Sequence, residues 1–418
     1  MTDLLKLHTQ DLIDVMVQTD RSNNALAGIV WDLANRGIVY PLNEMNLGPL
    51  RQEGRIFQRD AWKSPILCDQ LPLEDEFSFD QVKQILLDDV GSEEAYCFAP
   101  SHNSRKEDAR AILELISNID NPQYSEPGAI LLLHSPTFEH YCRHKPNWAE
   151  DGMPGVSQVT MAVTPVNDVQ DMKFHDNHML STLPSGIKIW AVYPPTQGNM
   201  EALQTHFHAL VNGSEDYAMH HASNFEHGII FIQSAGETLI LPPFWMATAL
   251  CTVTAVSCTF HIATALTFEE RLKQIGNFRL TTQIDLSDDT QGPQILFSFA
   301  NDLLEHLRAI LKNNFTACDV GQVTINICRD YETYRTSFRS IFQASGNRAV
   351  AQELEGKYRT IWLDFIEKKR KQKAACRLCN LRIQDMPTGD SPTDRLRQHF
   401  IDFHCVSRNR YIERIARK

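Results

Sequence analysis

No run of about 18 apolar residues, the length a helix needs to cross a bilayer, occurs anywhere in the 418 residues, so neither a membrane span nor a membrane partner is expected. The chain also lacks a G-x-S-x-G elbow, a cysteine in a setting that marks a nucleophile, and a glycine-rich loop able to cradle phosphate. These absences argue against serine and thiol hydrolases and against phosphate-loop chemistry. Paired cysteines are scarce: of ten, only Cys376 and Cys379 lie close together. That spacing suits a reducing compartment with mostly buried thiols, not a disulfide framework. The opening MTDLLKLHTQDLIDVM is acidic and amphipathic, without the apolar core of a secretion signal, so a nuclear or cytoplasmic location is expected, and the run Lys368–Lys371, of nuclear-localisation character, favours the nucleus. No internal repeat and no long low-complexity segment is present.

What is present is the composition of a globular protein with enough length for two or three cores. The net charge of −12 is unevenly spread. From Glu367 to Lys418 there are 14 Lys/Arg against 6 Asp/Glu, while the remainder carries 26 against 46. An acidic body with a basic tail places any contact with nucleic acid at the C-terminus.

Residues 1–127 read as a helical region: SNNALAGIVWDLANRG sets Leu26, Ile29, Val30 and Leu33 on one face and stops at Gly37, and Ser78 stands three residues before Gln81 in capping-box spacing. Over 128–268 the texture changes to short apolar runs separated by Gly and Pro, which predicts an all-β sandwich or barrel. A helical or irregular excursion over 199–225 interrupts it, with His206, His208, His220 and His221 read as a polar insertion. Helices resume over 269–373, one predicted at 293–313 and another from about Asn347 to Lys373 that ends in the basic run KKRKQK. Residues 374–418 form a last, small module.

Two blocks of the β region carry the chemistry. The first, DMKFHDNHMLSTLPSGIKIWAVYPPT, runs from Asp171 to Thr196 and contains Gly186, Lys188 and Trp190 in G-x-K-x-W spacing. The second, IIFIQSAGETLILPPFWMATALCTVTAVSCTFHI, runs from Ile229 to Ile262, with Pro242-Pro243 between two apolar segments. Together they resemble the JmjC family of cupin-type, iron- and 2-oxoglutarate-dependent oxygenases. The resemblance covers 128–268 and implies an α+β protein: a double-stranded β-helix (cupin, jelly-roll) core flanked by N- and C-terminal helical regions.

A non-haem Fe(II) oxygenase needs two imidazoles and a carboxylate on one face of the metal. The family supplies His-x-Asp from the first block and a second His after Pro-Pro. Without a gap, the expected His falls on Lys173 and the Asp on His175; a two-residue slip, which needs a deletion before Gly186, puts His175 and Asn177 there instead. The distal His position is Ala247. Alanine offers no lone pair, and an ammonium has three donors and no acceptor. Lys173, His175 and Ala247 are thus degenerate ligand positions, and neither Fe(II) nor 2-oxoglutarate chemistry is expected. Lys188 is retained, and the resemblance implies a residual anchor for the distal carboxylate of 2-oxoglutarate; alone it reads as a strand lysine on a barrel rim. His175, Asp176, His178 and the later His261 offer a displaced metal set, although i and i+3 on one strand face opposite ways. As a plain pattern they are surface histidines flanking a strand start.

The C-terminal module reads CRLCNLRIQDMPTGDSPTDRLRQHFIDFH. Cys376-x2-Cys379, 19 intervening residues and His399-x4-His404 give a Cys2His2 order for a structural zinc. Leu396, Phe400 and Phe403 are candidates for a small apolar core, and Cys405 is a substitute fourth ligand. The loop is longer than the dozen or so residues of a DNA-reading finger, and a single finger reads only about three base pairs. Arg408, Arg410, Arg414 and Arg417 suit phosphates, and a protein-docking role is equally open.

The expectation is a non-catalytic, iron-ligand-deficient JmjC domain-containing scaffold, chromatin-associated or bound to a protein partner, with a zinc finger. The alternatives are an active 2-oxoglutarate/Fe(II) demethylase or hydroxylase with unorthodox ligands, and a zinc-finger nucleic-acid-binding factor.

Overall fold

The computed structural model describes residues 169–211, 224–263, 265–275, 292–312 and 346–370 continuously, most of 329–344, the segments 65–68, 97–100, 129–133, 160–164 and 373–376, and scattered single residues. The chain divides into two compact units, the first ending at Ile262 and the second beginning at Ala263. The architecture is mixed α+β.

In the first unit nine strands form one antiparallel sheet among the described residues. They are β1 (Ile66–Cys68), β2 (Cys97–Pro100), β3 (Ala129–Leu133), β4 (Thr160–Thr164), β5 (Val169–Lys173), β6 (His178–Tyr193), β7 (Ile229–Ser234), β8 (Thr238–Leu241) and β9 (Met246–Ile262). The long strands β6 and β9 pair along their whole length, from His178–Ile262 to Tyr193–Met246. β9 also takes β4 and β5 on its other side, while β6 takes β7 and β8. Such strands, buried on both faces, read as near-continuous apolar runs, as β6 and β9 do.

β6 bends where its sequence requires it. Its register with β9 breaks between Thr182 and Ser185 and again to Lys188, and Pro184, which has no amide to donate, sits in that break. Leu183 pairs instead with the β7–β8 turn, its amide donating to the Glu237 carbonyl and its carbonyl accepting from Gly236. Gly186 has φ +94, and a Cβ there would fall 2.5 Å from the Thr254 carbonyl oxygen and against the Ala255 backbone. Only glycine lets β6 cross β9 this closely.

Between β6 and β7 lies α1 (Gln197–Val211). Thr196 caps it, its Oγ1 accepting from the Asn199 amide at 3.2 Å. The buried Asn199 side chain then ties this turn to Glu226, donating to its carbonyl at 3.0 Å and accepting from its amide at 2.8 Å. Over its described part, Gln197–Val211, the excursion expected from the sequence is a helix in which His206 and Phe207 are buried and His208 is exposed. His220 and His221 lie outside the described residues.

The second unit contains α2 (Ala265–Lys273), α3 (Gly292–Leu311), α4 (Tyr331–Ala344) and α5 (Arg348–Ile366). Phe268, Leu303, Leu307, Phe338, Tyr358 and Trp362 fill its core. Arg271 of α2 reaches Asp302 of α3 at 2.5 Å and lies over the Phe299 ring. Asn347 caps α5 through the Ala349 amide at 3.0 Å.

Two expectations are corrected. The helix predicted to Lys373 stops at Ile366, and the basic run enters a hairpin of β10 (Glu367–Arg370) and β11 (Lys373–Cys376). Consecutive lysines crowd like charges at helical spacings, whereas a strand sends them alternately to opposite faces. The N-terminal region is not helical throughout: β1 and β2 join the sheet, Ile66 buried beside Pro65. Asp80, Gln81, Gln84, Ile85 and Asp88 are helical as expected, and the helix expected around Leu26–Leu33 lies outside the described residues.

Candidate functional site

Lys173 and Ala247, far apart in the chain, stand opposite each other in the first unit, and His175 follows Lys173 by two residues. Lys173 is the register partner of Ala247, and Ala247 also stands opposite Val192, so β5, β9 and β6 carry one row across the sheet. The approach to Ala247 is set by the Pro242-Pro243 turn, after which Phe244 has φ 61, a left-handed conformation uncommon for a bulky side chain. The turn is held by the Phe244 amide donating to the His175 carbonyl at 2.8 Å and by the Phe244 ring, 5.7 Å from that of Phe174.

His175 touches the other end of β9 as well. Its Nδ1 lies 3.1 Å from Nε2 of His261, with ring centroids 4.6 Å apart. Seventeen extended residues span about 56 Å, so β9 must curve for Phe244, before its start, and His261, near its end, to meet one residue. Burial, then His261, then Lys173 push the His175 imidazole down to about 3, and burial lowers His261 against the opposing pull of Asp176. Both imidazoles are neutral near pH 7. The expectation of surface histidines is corrected here: His178 is 1% exposed, and His175 and His261 are half-buried. His175 lies in the β5–β6 turn, where the alternation of a strand does not constrain it.

These residues do not fit an iron held by two imidazoles and a carboxylate. Ala247 is 7% exposed and packs with Trp190, Val192 and Trp245, so its position is part of an apolar cluster. Lys173 opposite it brings a cation, and the exposed ammonium has no acceptor to offer a metal. Among the described residues no group of three or more His, Cys, Asp or Glu side chains is placed to hold a metal ion.

Lys188 lies farther along the same strand pair, opposite Cys251. It is 1% exposed, which corrects the reading of a rim lysine. Its Nζ reaches past its register partner to Ser257 Oγ at 3.3 Å and lies 5.9 Å from the Trp190 ring centroid. The Trp190 indole donates to Gln233 Oε1 at 2.8 Å, and Gln233 Nε2 donates to the Ser181 and Glu237 carbonyls at 2.8 and 3.0 Å. Ser181 Oγ accepts from Thr259 Oγ1 at 3.0 Å, and Thr182 bonds Thr238 at 2.8 Å. The buried Lys188 side chain thus ends beside one hydroxyl, that of Ser257, and one indole, that of Trp190. Sequence reasoning missed Gln233 and Ser257; the signal for Gln233 was a single amide closing the apolar run Ile229–Ile232.

Of the zinc candidates, His399 is helical and buried. Cys379, His404 and the Cys376 side chain lie outside the described residues, as do Cys405 and the tail arginines. Among the described residues no helix is long and apolar enough to cross a membrane. In comparisons with known proteins, no family model matches the chain, and no curated protein matches it significantly.

Proposed function

We propose that this chain is a JmjC-like protein whose first unit is a double-stranded β-helix that has lost iron chemistry. It serves as a non-catalytic scaffold, chromatin-associated or bound to a protein partner, and carries a C-terminal zinc finger on Cys376, Cys379, His399 and His404. One observation carries the reading: Lys173 and Ala247, the positions the resemblance reserves for two ligands, stand opposite each other as register partners, one an ammonium and the other a methyl group in an apolar cluster. The curvature of β9 around His175 and the paired long strands support a rolled sheet of the cupin kind. The basic stretch from Lys368 onward supports a polyanionic or acidic partner for the tail.

The test is anaerobic titration of the full chain with Fe(II) and 2-oxoglutarate, followed by a succinate-release assay with histone and other peptide substrates. No stoichiometric iron at Lys173/His175/Ala247 and no turnover are expected. Stoichiometric iron with succinate formation would overturn the scaffold reading in favour of an oxygenase with unorthodox ligands. For the finger, the Cys376→Ser/Cys379→Ser double variant should lose one zinc per chain.

The buried Lys188 favours a second, compatible reading in which the protein retains a hold on a small dicarboxylate. Its ammonium would take one carboxylate with Ser257 beside it, and the protein would report a metabolite without consuming it.

A further inference from the structure

Three features lie outside the proposed readings: the imidazole pair at the β5–β6 turn, the Arg271–Asp302 bridge of the helical unit, and Val253 of β9, the one large exposed apolar side chain among the described residues. The bridge is accounted for by helix packing, and one exposed valine is not a surface. The pair is different, because it joins two ends of a strand through atoms with lone pairs.

We propose that His175 Nδ1 and His261 Nε2 form a binding site for a borderline divalent transition metal of the Zn(II) or Co(II) kind, displaced from the Lys173/Ala247 row and structural in its effect. The geometry is that of two ligands on one ion: imidazole–zinc bonds of about 2.0–2.1 Å at tetrahedral or octahedral angles put the two nitrogens about 2.9–3.4 Å apart. The observed separation is 3.1 Å.

Charge around the pair permits a cation. Asp176, next to His175 in the chain, acts electrostatically on His261, and Asn177 orients it by donating to its Oδ1 at 3.2 Å. Lys173 opposes a cation, but its side chain is exposed and its charge screened by water. The remaining coordination positions would be taken by water. Two imidazoles with water suit zinc, cobalt, nickel or copper better than magnesium or calcium, which prefer oxygen. Such an ion would clamp His261 of β9 to the β5–β6 turn, whose His175 carbonyl already holds the Phe244 amide before the strand starts.

The experiment uses the full chain stripped with a chelator and re-dialysed against Zn(II) or Co(II). In the Cys376→Ser/Cys379→Ser background, which removes the finger, one ion per chain should remain, and His175→Gln or His261→Gln should each abolish it. Glutamine keeps the ability to hydrogen-bond across the pair, so intact near-UV circular dichroism with lost metal separates ligation from folding. The cobalt form of this background should show d–d bands without thiolate charge transfer. Unchanged uptake in His261→Gln, or no uptake in the cysteine-free background, overturns the site and leaves a hydrogen-bonded pair. Should that background fail to fold, the wild-type chain must bind one more ion than His261→Gln, and equal stoichiometry overturns the proposal. Succinate release plays no part in this test, so its failure and that of the scaffold reading are told apart.

Discussion

The strand pair β6–β9 holds two positions that differ in kind. At Val192–Ala247 the row is apolar and closed, its members packed with Trp190 and Trp245. At Lys188–Cys251, on the same two strands, a whole ammonium is buried with hydroxyl and indole neighbours. Burying an ammonium is expensive unless it is hydrogen-bonded or paired, so the second position is polar where the first is apolar. The contrast sets an apolar and a polar position on separate residues of one strand pair, and each can be changed without the other.

The largest effect should come from Gly186, because both positions depend on the crossing it permits. Gly186→Ala puts a Cβ into the Thr254–Ala255 backbone at a φ of +94. A loss of about 4 kcal/mol or more is expected, read from urea unfolding, since steric clash and left-handed strain act together. A stability within 1 kcal/mol of wild type (about the size of a surface change) would show that β6 does not cross β9 as described. Next in size is Ala247→His, which tests whether the apolar row is closed. An imidazole forced among Trp190, Val192 and Trp245 should cost about 1–3 kcal/mol by overpacking, with no gain in iron uptake by equilibrium dialysis. If instead the variant folds as well as wild type and takes up Fe(II), the row is an open site and the contrast with Lys188 falls.

Much of this was legible before any coordinates. The runs Ile229–Ser234 and Met246–Ile262 announced strands because their burial on both faces leaves an apolar stretch bounded by turns, and the Pro-Pro and Gly-Glu turns fell where expected. The pairing of Lys173 with Ala247 was implied only through a resemblance, because cross-strand register is a long-range property that no local pattern carries. The burial of Lys188 and His178 escaped for a related reason: a polar residue in an apolar run looks like a solvent face until the sheet is seen to roll over it. The β10–β11 hairpin was missed because the α5 periodicity runs smoothly into the lysines, and charge repulsion along a helix face is weak enough to overlook. His175 and His261 were both noted, but the turn that aims one at the other has no sequence signature beyond Asp176-Asn177.

At the polar position, Lys188→Met replaces a long stem by another of similar volume, so stability should change by less than about 1.5 kcal/mol. Calorimetry with 2-oxoglutarate or succinate is the informative readout. Wild-type protein should bind the dicarboxylate without metal and the variant should not, because methionine keeps the packing on Trp190 but removes the charge. Equal binding by both proteins would remove Lys188 from the site. No binding by either would make the buried ammonium a packing element and leave the two positions alike in holding no ligand.

The smallest effect concerns the residue that links the Ala247 approach to the far end of β9. In chelator-treated protein, a cycle of His175→Ala, His261→Ala and the double variant should give a coupling of about 0.5–1.5 kcal/mol, the range of a single net hydrogen bond. Adding Zn(II) in excess should raise the wild-type stability while leaving each single variant unmoved, since an ion bound only to the folded state stabilises it by mass action. The coupling measured with zinc must then exceed that measured without it. A coupling near zero in both conditions would mean that the curvature of β9 rests on the Phe244–His175 backbone bond and the Phe174–Phe244 contact alone. That outcome would detach the imidazoles from the architecture altogether, and the Lys173–Ala247 row would then be closed by its apolar neighbours without help from the residue beside it.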